Sequence, residues 1–337
     1  ICINFEYSNQ HIGITIKNIM PNSIKILIPL YNDWDALELL LERIKHTVEA
    51  SFFEQLSFVI VDDCSSIPCD VNRFSAYKLE IIRLWRNVSH QKAIALGLSY
   101  LTKERTFDYL LVMDSDGEDR PEDMERLYEA CVRTNQIVFA KRAKRSEGPI
   151  FRVGYLVYKA LFGLLTGKVI EFGNFSILPF DQAKKLAYVS EIWNHFPGGV
   201  IRSKLSYNSI PIIRGTRLAG KSKMNLVSLI LHGLSAISVY LDTVAVRIVI
   251  SSLVLVVLSI LVALVVSIIR LTTSYASPGW ATTLVSTAVI VILQAFLSSL
   301  FLVFTVLNYR TQKHFIPALE YHELIQQVDS TELCKIC

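Results

Sequence analysis

Tyr109-Leu-Leu-Val-Met-Asp-Ser-Asp-Gly-Glu-Asp-Arg-Pro-Glu-Asp-Met124 is the stretch on which the fold turns. Tyr109 to Met113 is a short apolar run that reads as a buried strand. It delivers Asp114 and Asp116 to its carboxyl end, ahead of a helix that opens around Pro121. In an open α/β sheet ligands bind at that edge. Two carboxylates one residue apart there form a hard-oxygen site. Such a site suits Mg²⁺ or Mn²⁺, which keep waters and take further ligands from a substrate diphosphate. Glu118 is a candidate third oxygen. The plain alternative is an acidic cluster at a helix N-terminus, where the backbone dipole favours carboxylates. That reading suits Glu122 and Asp123, whereas metal binding is preferred for Asp114 and Asp116.

Outward from this stretch the same grammar repeats. Ser23 to Leu30 reads as a strand ending in Pro29-Leu-Tyr-Asn-Asp33, followed by an amphipathic helix to about His46. Leu56 to Val61 ends in Asp62-Asp63-Cys-Ser-Ser66, and Leu79 to Leu84 leads through Arg86-Asn-Val-Ser-His-Gln-Lys92 into a helix to about Leu101. Gln136 to Ala140 is a fifth strand. Strands alternating with helices imply a mainly parallel sheet covered on both faces, with Asn32, Asp63, Asn87 and Asp114 gathered along one edge. No Gly-x-Gly-x-x-Gly fingerprint and no Walker loop is present, which argues against a dinucleotide oxidoreductase or a P-loop NTPase. A diphosphate would then need metal and basic side chains. Lys141-Arg-Ala-Lys-Arg145 with Arg152 is one source; the other is Arg202 to Lys223, with six basic residues and no acidic one. Part of this charge suits an anionic lipid surface. Arg217 and Gly220-Lys-Ser-Lys223 suit a phosphate clamp equally well.

The 337 residues are 52% hydrophobic, more than an ordinary soluble enzyme carries. The excess is local: Ile248 to Ile269 is uncharged between Arg247 and Arg270, about 33 Å as a helix and enough to cross a bilayer core. After Ser277-Pro-Gly279 a second span is expected over 280–307. Arg247, Arg310 and Lys313 flank the outer ends of this hairpin, so the positive-inside rule places the N-terminal part and the tail in the cytoplasm. Gln294, mid-span, suits helix contact within the hairpin or a homo-oligomer. A net charge of +4 gives no reason to expect nucleic acid as a partner. The six cysteines form no disulfide framework, and Cys334-Lys-Ile-Cys337 reads as a disordered tail. The chain begins at Ile1; the expectation is that Met20 marks the natural start and that residues 1–19 are extra. The expected division is an extension over 1–22, a catalytic domain over 23–223, an apolar juxtamembrane region over 224–247, two spans within 248–309 and a cytoplasmic tail over 310–337. Met224 to Leu241 and Pro149 to Leu165 are expected at the membrane surface.

In order, Ile28-Pro-Leu-Tyr-Asn-Asp33, Val61-Asp-Asp-Cys-Ser65, Arg86-Asn87 with His90-Gln91, Met113-Asp-Ser-Asp116 and Arg217-Leu-Ala-Gly-Lys-Ser-Lys223 resemble family 2 glycosyltransferases. Within that family the chain looks like the polyprenyl-phosphate glycosyltransferases, the group of dolichyl-phosphate mannose synthase and the two-span bacterial undecaprenyl-phosphate enzymes. The resemblance implies a GT-A fold, an inverting mechanism, a UDP- or GDP-linked sugar donor, a polyprenyl phosphate acceptor and a bacterial inner membrane. It puts Pro29, Tyr31 and Asp63 at the base and ribose, with Asn32, Asp33, Asn87 and Lys92 along the same nucleotide-binding edge. Asp114 and Asp116 take the aspartate-x-aspartate role, with Glu118 where relatives often carry glutamine. Arg142, Arg152, Arg217, Ser222 and Lys223 fall where donor diphosphate or acceptor phosphate is held. Asp33 stands in place of the usual glutamate, Cys64 of the usual glycine and Gly117-Glu118 of the usual leucine-glutamine. The Gln-x-x-Arg-Trp signature of processive synthases is absent, which disfavours a polymerase.

A lipid phosphate is already anionic near neutral pH, so it attacks without a strong general base, and catalysis rests on alignment and on stabilising the leaving diphosphate. Asp114, Asp116, Arg217 and Lys223 are therefore the expected catalytic residues. A glycan or other lipid acceptor, and an inactive scaffold that binds nucleotide sugar, are the alternatives.

Overall fold

The computed structural model describes residues 23–103, 106–142, 149–220, 226–272, 279–312 and 314–331. The first half runs β1 (Ile24–Leu30), α1 (Trp34–Thr47), α2 (Ala50–Phe53), β2 (Leu56–Asp62), β3 (Leu79–Leu84), α3 (His90–Leu101), β4 (Tyr109–Val112) and α4 (Met124–Thr134). The second runs β5 (Ile137–Arg142), α5 (Pro149–Thr166), β6 (Ser176–Pro179), α6 (Phe180–Ala187), α7 (Phe196–Ser203), β7 (Tyr207–Ile212) and α8 (Leu226–Ser238). Two long helices, α9 (Leu241–Thr272) and α10 (Trp280–Thr311), precede α11 (Pro317–Glu320) and β8 (Ile325–Ser330).

One eight-stranded sheet has the order β7-β5-β6-β4-β1-β2-β3-β8. β3, β2, β1 and β4 pair in parallel, as expected from the alternation of strands and helices. β6 is antiparallel to both β4 and β5, and β7 is parallel to β5, so the sheet is mixed beyond β4. The central strands β1 and β2 are buried at almost every position, the pattern of a sheet covered on both faces. In β1, Ile24, Ile26 and Ile28 face the core layer that holds α1, while Leu27 faces the layer that holds α3. Helix α1 buries Trp34, Leu37, Leu40, Leu41 and Ile44, a 3–4 spacing that makes one apolar stripe. Pro29 costs no ladder bond to β4, because that pairing stops at Leu27 opposite Val112. Helix α3 sits so close to the sheet that a Cβ on Gly97 would lie 2.4 Å from Leu27 and 2.6 Å from Val61, so glycine is what lets it approach.

Residues 314–331 depart from the expected free tail. β8 adds antiparallel to β3, with Glu80 opposite Ser330 and Ile82 opposite Val328, and covers an edge that would otherwise be open. Tyr321 is buried in the α3 layer, and Thr331 Oγ1 accepts from Leu79 N–H at 3.1 Å and donates to the Tyr77 carbonyl at 2.8 Å. Because β8 is a polar edge strand, Ile-Gln-Gln-Val-Asp-Ser, its sequence carries little strand signal. Cys334 and Cys337 lie outside the described residues, as do residues 1–22.

Helices α9 and α10 have 32 residues each, are long and apolar enough to cross a membrane, and pack against one another. They exceed the expected spans, since α9 starts at Leu241 and therefore carries Asp242 and Arg247. Asp242 lies 3.5 Å from Arg310 at the end of α10 and 3.6 Å from Arg202 of α7. Arg247 donates to the Leu164 carbonyl at the end of α5 at 2.5 Å, a cation at a helix C-terminus. The outer end of α9 is thus fastened to α5 and α7, and that of α10 to α9.

Candidate active site

The carboxyl ends of β1, β2, β3 and β4 converge on one edge. At the end of β1, Asn32 adopts φ +51° and is held on three sides. Its N–H donates to Ser65 Oγ at 2.8 Å, its Oδ1 accepts from Ile67 N–H at 2.9 Å, and its Nδ2 donates to Ser66 Oγ at 3.0 Å. Tyr31 beside it is 43% exposed. At the end of β2, Asp63 is 3% exposed and accepts from the N–H groups of Val88 and Ser89 at 2.6 and 2.9 Å. Burial outweighs those two hydrogen bonds and the nearby His90, pushing its carboxyl up to about 6. Asn87 Nδ2 closes the same turn on the Asp63 carbonyl at 3.1 Å.

At the end of β4 the holding groups include side chains as well as backbone. Asp116 Oδ1 accepts from Glu118 N–H at 3.0 Å, and Oδ2 lies 3.1 Å from Arg217 Nη1. The other end of that guanidinium is 2.5 Å from Asp33, and its Nε donates to the Ala219 carbonyl at 2.9 Å. Arg217 therefore bridges the ends of β1 and β4 as a cation between two carboxylates. Arg214 pairs with Glu118, Leu218 N–H donates to the Asp116 carbonyl at 2.9 Å, and Gly215 N–H to the Glu118 carbonyl at 2.8 Å. Segment 213–220 is thereby laid along the Asp-Ser-Asp turn. Gly117, at φ +81°, leaves space that the Leu218 side chain fills. Burial first, then the charge of Asp114, raises the Asp116 carboxyl, while Glu118 N–H and Arg217 pull it down.

Asp114 faces His90, whose Nε2 is 3.1 Å from Asp114 Oδ1 and 3.0 Å from Asn174 Nδ2. Burial works to lower the imidazole, but the charge and hydrogen bond of Asp114, with Asp119 and Asp116 behind it, hold it above its ordinary value. Gln91 fixes the same corner, donating to Asn174 Oδ1 at 3.0 Å and accepting from Phe196 N–H at 2.6 Å. Asp119, 2% exposed, accepts the Asp114 N–H at 3.0 Å. None of His90, Gln91, Asn174 and Asp119 has a role assigned from sequence; His90 and Gln91 open a helix behind a strand end and stand in the resemblance, whereas Asn174 and Asp119 carry no such signal. His195 Nδ1 accepts from Gly198 N–H at 3.0 Å, and its ring lies 5.0 Å from His232 of α8. Burial and, behind it, His232 drive the His195 pKa down to about 3, so it is a neutral structural ring.

Pro29, Asn32, Asp33, Asp63, Asn87, Asp114, Asp116 and Arg217 are thus brought to one edge. Lys92 turns elsewhere: its Nζ lies 5.2 Å from the centroid of the Trp193 ring, which packs on Phe315. Arg142 closes β5 and Arg152 lies in the first turn of α5, whereas Ser222 and Lys223 fall outside the described residues. Among the described residues no three His, Cys, Asp or Glu side chains are grouped to hold a metal ion, and Glu118 is turned to Arg214. What the edge offers a divalent cation is the oxygen pair of Asp114 and Asp116. Asp116 and Asp33 converge on the Arg217 guanidinium, so the negative charge at this edge is paired with a cation.

Residues 25–186 match the family model described as Glycosyl transferase family 2. These residues are a family 2 glycosyltransferase domain. The chain is 22% identical over 222 residues to an uncharacterized glycosyltransferase, YkcC, of Bacillus subtilis, spanning 64% of this chain and 67% of that protein. It is 25% identical over 218 residues to an undecaprenyl-phosphate 4-deoxy-4-formamido-L-arabinose transferase of Edwardsiella ictaluri, spanning 61% of this chain and 64% of the relative. A glucosyl-3-phosphoglycerate synthase of Mycobacterium tuberculosis, solved with Mn²⁺ and UDP-glucose, superimposes with a TM-score of 0.48 at 15% identity over 66% of this chain and 80% of its own. At that score the likeness bears on neither substrate nor metal.

Proposed function

We propose that this protein transfers a single sugar, with inversion, from a nucleoside-diphosphate sugar to polyprenyl phosphate at the cytoplasmic face of a bacterial inner membrane. The observation that carries the reading is the meeting of Asp114, Asp116 and Arg217 at the edge of a family 2 domain whose neighbouring helices are long and apolar enough to cross a membrane. Relatives named for undecaprenyl-phosphate transfer support the acceptor.

Pro29, Tyr31, Asn32, Asp63 and Asn87 line the nucleoside end. Asp114 and Asp116 would hold Mg²⁺ or Mn²⁺, which, when bound, neutralises the donor diphosphate. As donor enters, Arg217 exchanges Asp116 and Asp33 for the diphosphate, and its charge stabilises the leaving group. An oxygen of the lipid phosphate forms the new bond to the anomeric carbon while the bond to the diphosphate oxygen breaks, and the electron pair leaves with the nucleoside diphosphate. Because the attacking phosphate is already ionised, no residue need remove a proton. Arg142, Arg152, Ser222 and Lys223 are further candidates for phosphate contact.

Exposed Leu156, Leu161 and Leu164 on α5 and Ile230, Leu231 and Leu234 on α8 support a domain resting on lipid, where the acceptor phosphate lies. The test incubates membranes containing the protein with Mg²⁺, polyprenyl phosphate and a panel of radiolabelled UDP- and GDP-sugars, following label into the organic phase. Transfer from one donor, stopped by chelation and by Asp116→Ala, is expected. Label that moves only into water-soluble glycan would sink the acceptor assignment.

A further inference from the structure

The edge of β3 carries a chain of contacts that starts on the last strand and ends beside the nucleoside site. Asp329 of β8 accepts from Arg83 Nε at 2.7 Å. Arg83, on β3, reaches the other way, its Nη1 3.3 Å from Asp62 Oδ2 and its Nη2 3.4 Å from the Cys69 carbonyl. Asp62 is 3% exposed, and its second oxygen accepts from Ser65 N–H at 2.9 Å. Ser65 Oγ in turn accepts the Asn32 N–H at 2.8 Å. Asp63 is the next residue after Asp62, and Cys64 after it adopts φ +58°. A side chain at that φ strains the backbone, so the turn persists only because its surroundings hold it.

A guanidinium gripped by two carboxylates has its plane fixed, whereas one gripped by a single carboxylate can pivot. With Asp329 in place, Arg83 presents a fixed partner to Asp62, and Asp62 presents a fixed acceptor to Ser65. Without it, Arg83 keeps only Asp62 and one carbonyl, and the 62–66 turn that carries Asp63 loses its outer support.

We infer that Asp329 is a positioning residue for donor binding: through Arg83 and Asp62 it sets the turn that presents Asp63 and Asn32 to the nucleoside. The strand that follows the two long helices then belongs to donor recognition as well as to the sheet. This rests on the nucleotide-donor reading above, and the test separates the two.

Dissociation constants for UDP and GDP with Mn²⁺ are measured on the full chain in detergent, with no acceptor present. Asp329→Asn is expected to weaken the preferred nucleotide about 5- to 10-fold and to raise the donor KM in step, leaving kcat and the acceptor KM near wild type; Asp329→Glu restores affinity. Ser65→Ala, which cuts the chain at its far end without touching β8, is expected to weaken nucleotide similarly. Thr331→Val is the control: it loosens β8 without touching Arg83, so it should lower Tm and leave nucleotide affinity unchanged. The inference is overturned if Asp329→Asn and Ser65→Ala both bind nucleotide as wild type does, or if Thr331→Val weakens it as much as Asp329→Asn. Failure of the unmutated protein to bind either nucleotide sinks the donor reading, and the inference with it.

Discussion

The two ends of the cleft are held by different kinds of bond. At the end proposed for the nucleoside, Asp63 is gripped by the backbone N–H groups of Val88 and Ser89, and Asn32 by a ring of short turns. At the end proposed for the diphosphate, Arg217 joins Asp116 to Asp33, and Arg214 covers Glu118. Backbone donors fixed by strand ends cannot leave without unfolding the turn. Side-chain ion pairs can trade one anion for another at little net cost, since each arginine keeps a negatively charged partner throughout. Under the proposed function, one end is shaped before the donor arrives, and the other exchanges partners as it binds.

The largest expected effect breaks the exchanging end. Asp116→Asn should reduce transfer by about 10³-fold or more, measured as label in extracted lipid, while uridine or guanosine monophosphate binding stays within about twofold. Next, Arg217→Gln should lower kcat by about 10²- to 10³-fold, as expected when one charge-stabilising donor to a leaving group is lost. A pure KM effect would mean that Arg217 only binds ground-state donor.

At the shaped end, the raised Asp63 carboxyl gives a pH signature. Its ordinary value is 3.8 and its folded value about 6, so the carboxyl is more easily protonated in the fold than in the free chain. The sign follows: its contribution to stability is greatest at low pH and is lost as pH rises toward about 6, whereas its ability to accept a nucleoside hydrogen bond as an anion is lost as pH falls through about 6. Nucleotide affinity should fall below that point with a slope of one proton, and Asp63→Asn should weaken binding and flatten the profile. The smallest effect concerns the scaffold beneath. Gly97→Ala should cost about 1–3 kcal/mol, read as a lowered Tm, because its Cβ meets Leu27 and Val61. If nucleotide affinity drops more than Arg217-dependent turnover, the shaped end does depend on rigid packing of α3.

Much of this contrast was legible before any coordinates. Strand ends were visible as apolar runs stopped by Pro29-Leu-Tyr-Asn-Asp33, Asp62-Asp63 and Asp114-Ser-Asp116, and parallel pairing carried them to one edge. Cys64, which the resemblance sets in place of a glycine, gains a physical meaning at φ +58°. What stayed hidden was pairing between distant polar side chains. Nothing in the spacing of Asp33 and Arg217, or of His90 and Asn174, announces that they touch, because periodicity reports which face a residue takes and not its partner. The contact of Lys92 is hidden for the same reason, since its partner, Trp193, lies about a hundred residues away. β8 escaped because an edge strand with one half-covered face needs few apolar residues.

The pairing of β3 with β8 also sets an order of assembly. Leu79 and Thr331 are 252 residues apart, with both long helices between them. During synthesis the β3 edge stays open until β8, which follows both long helices, has been made. Only a chain whose two long helices lead back to the sheet can close that edge, so completion of the sheet reports that they have packed into a hairpin.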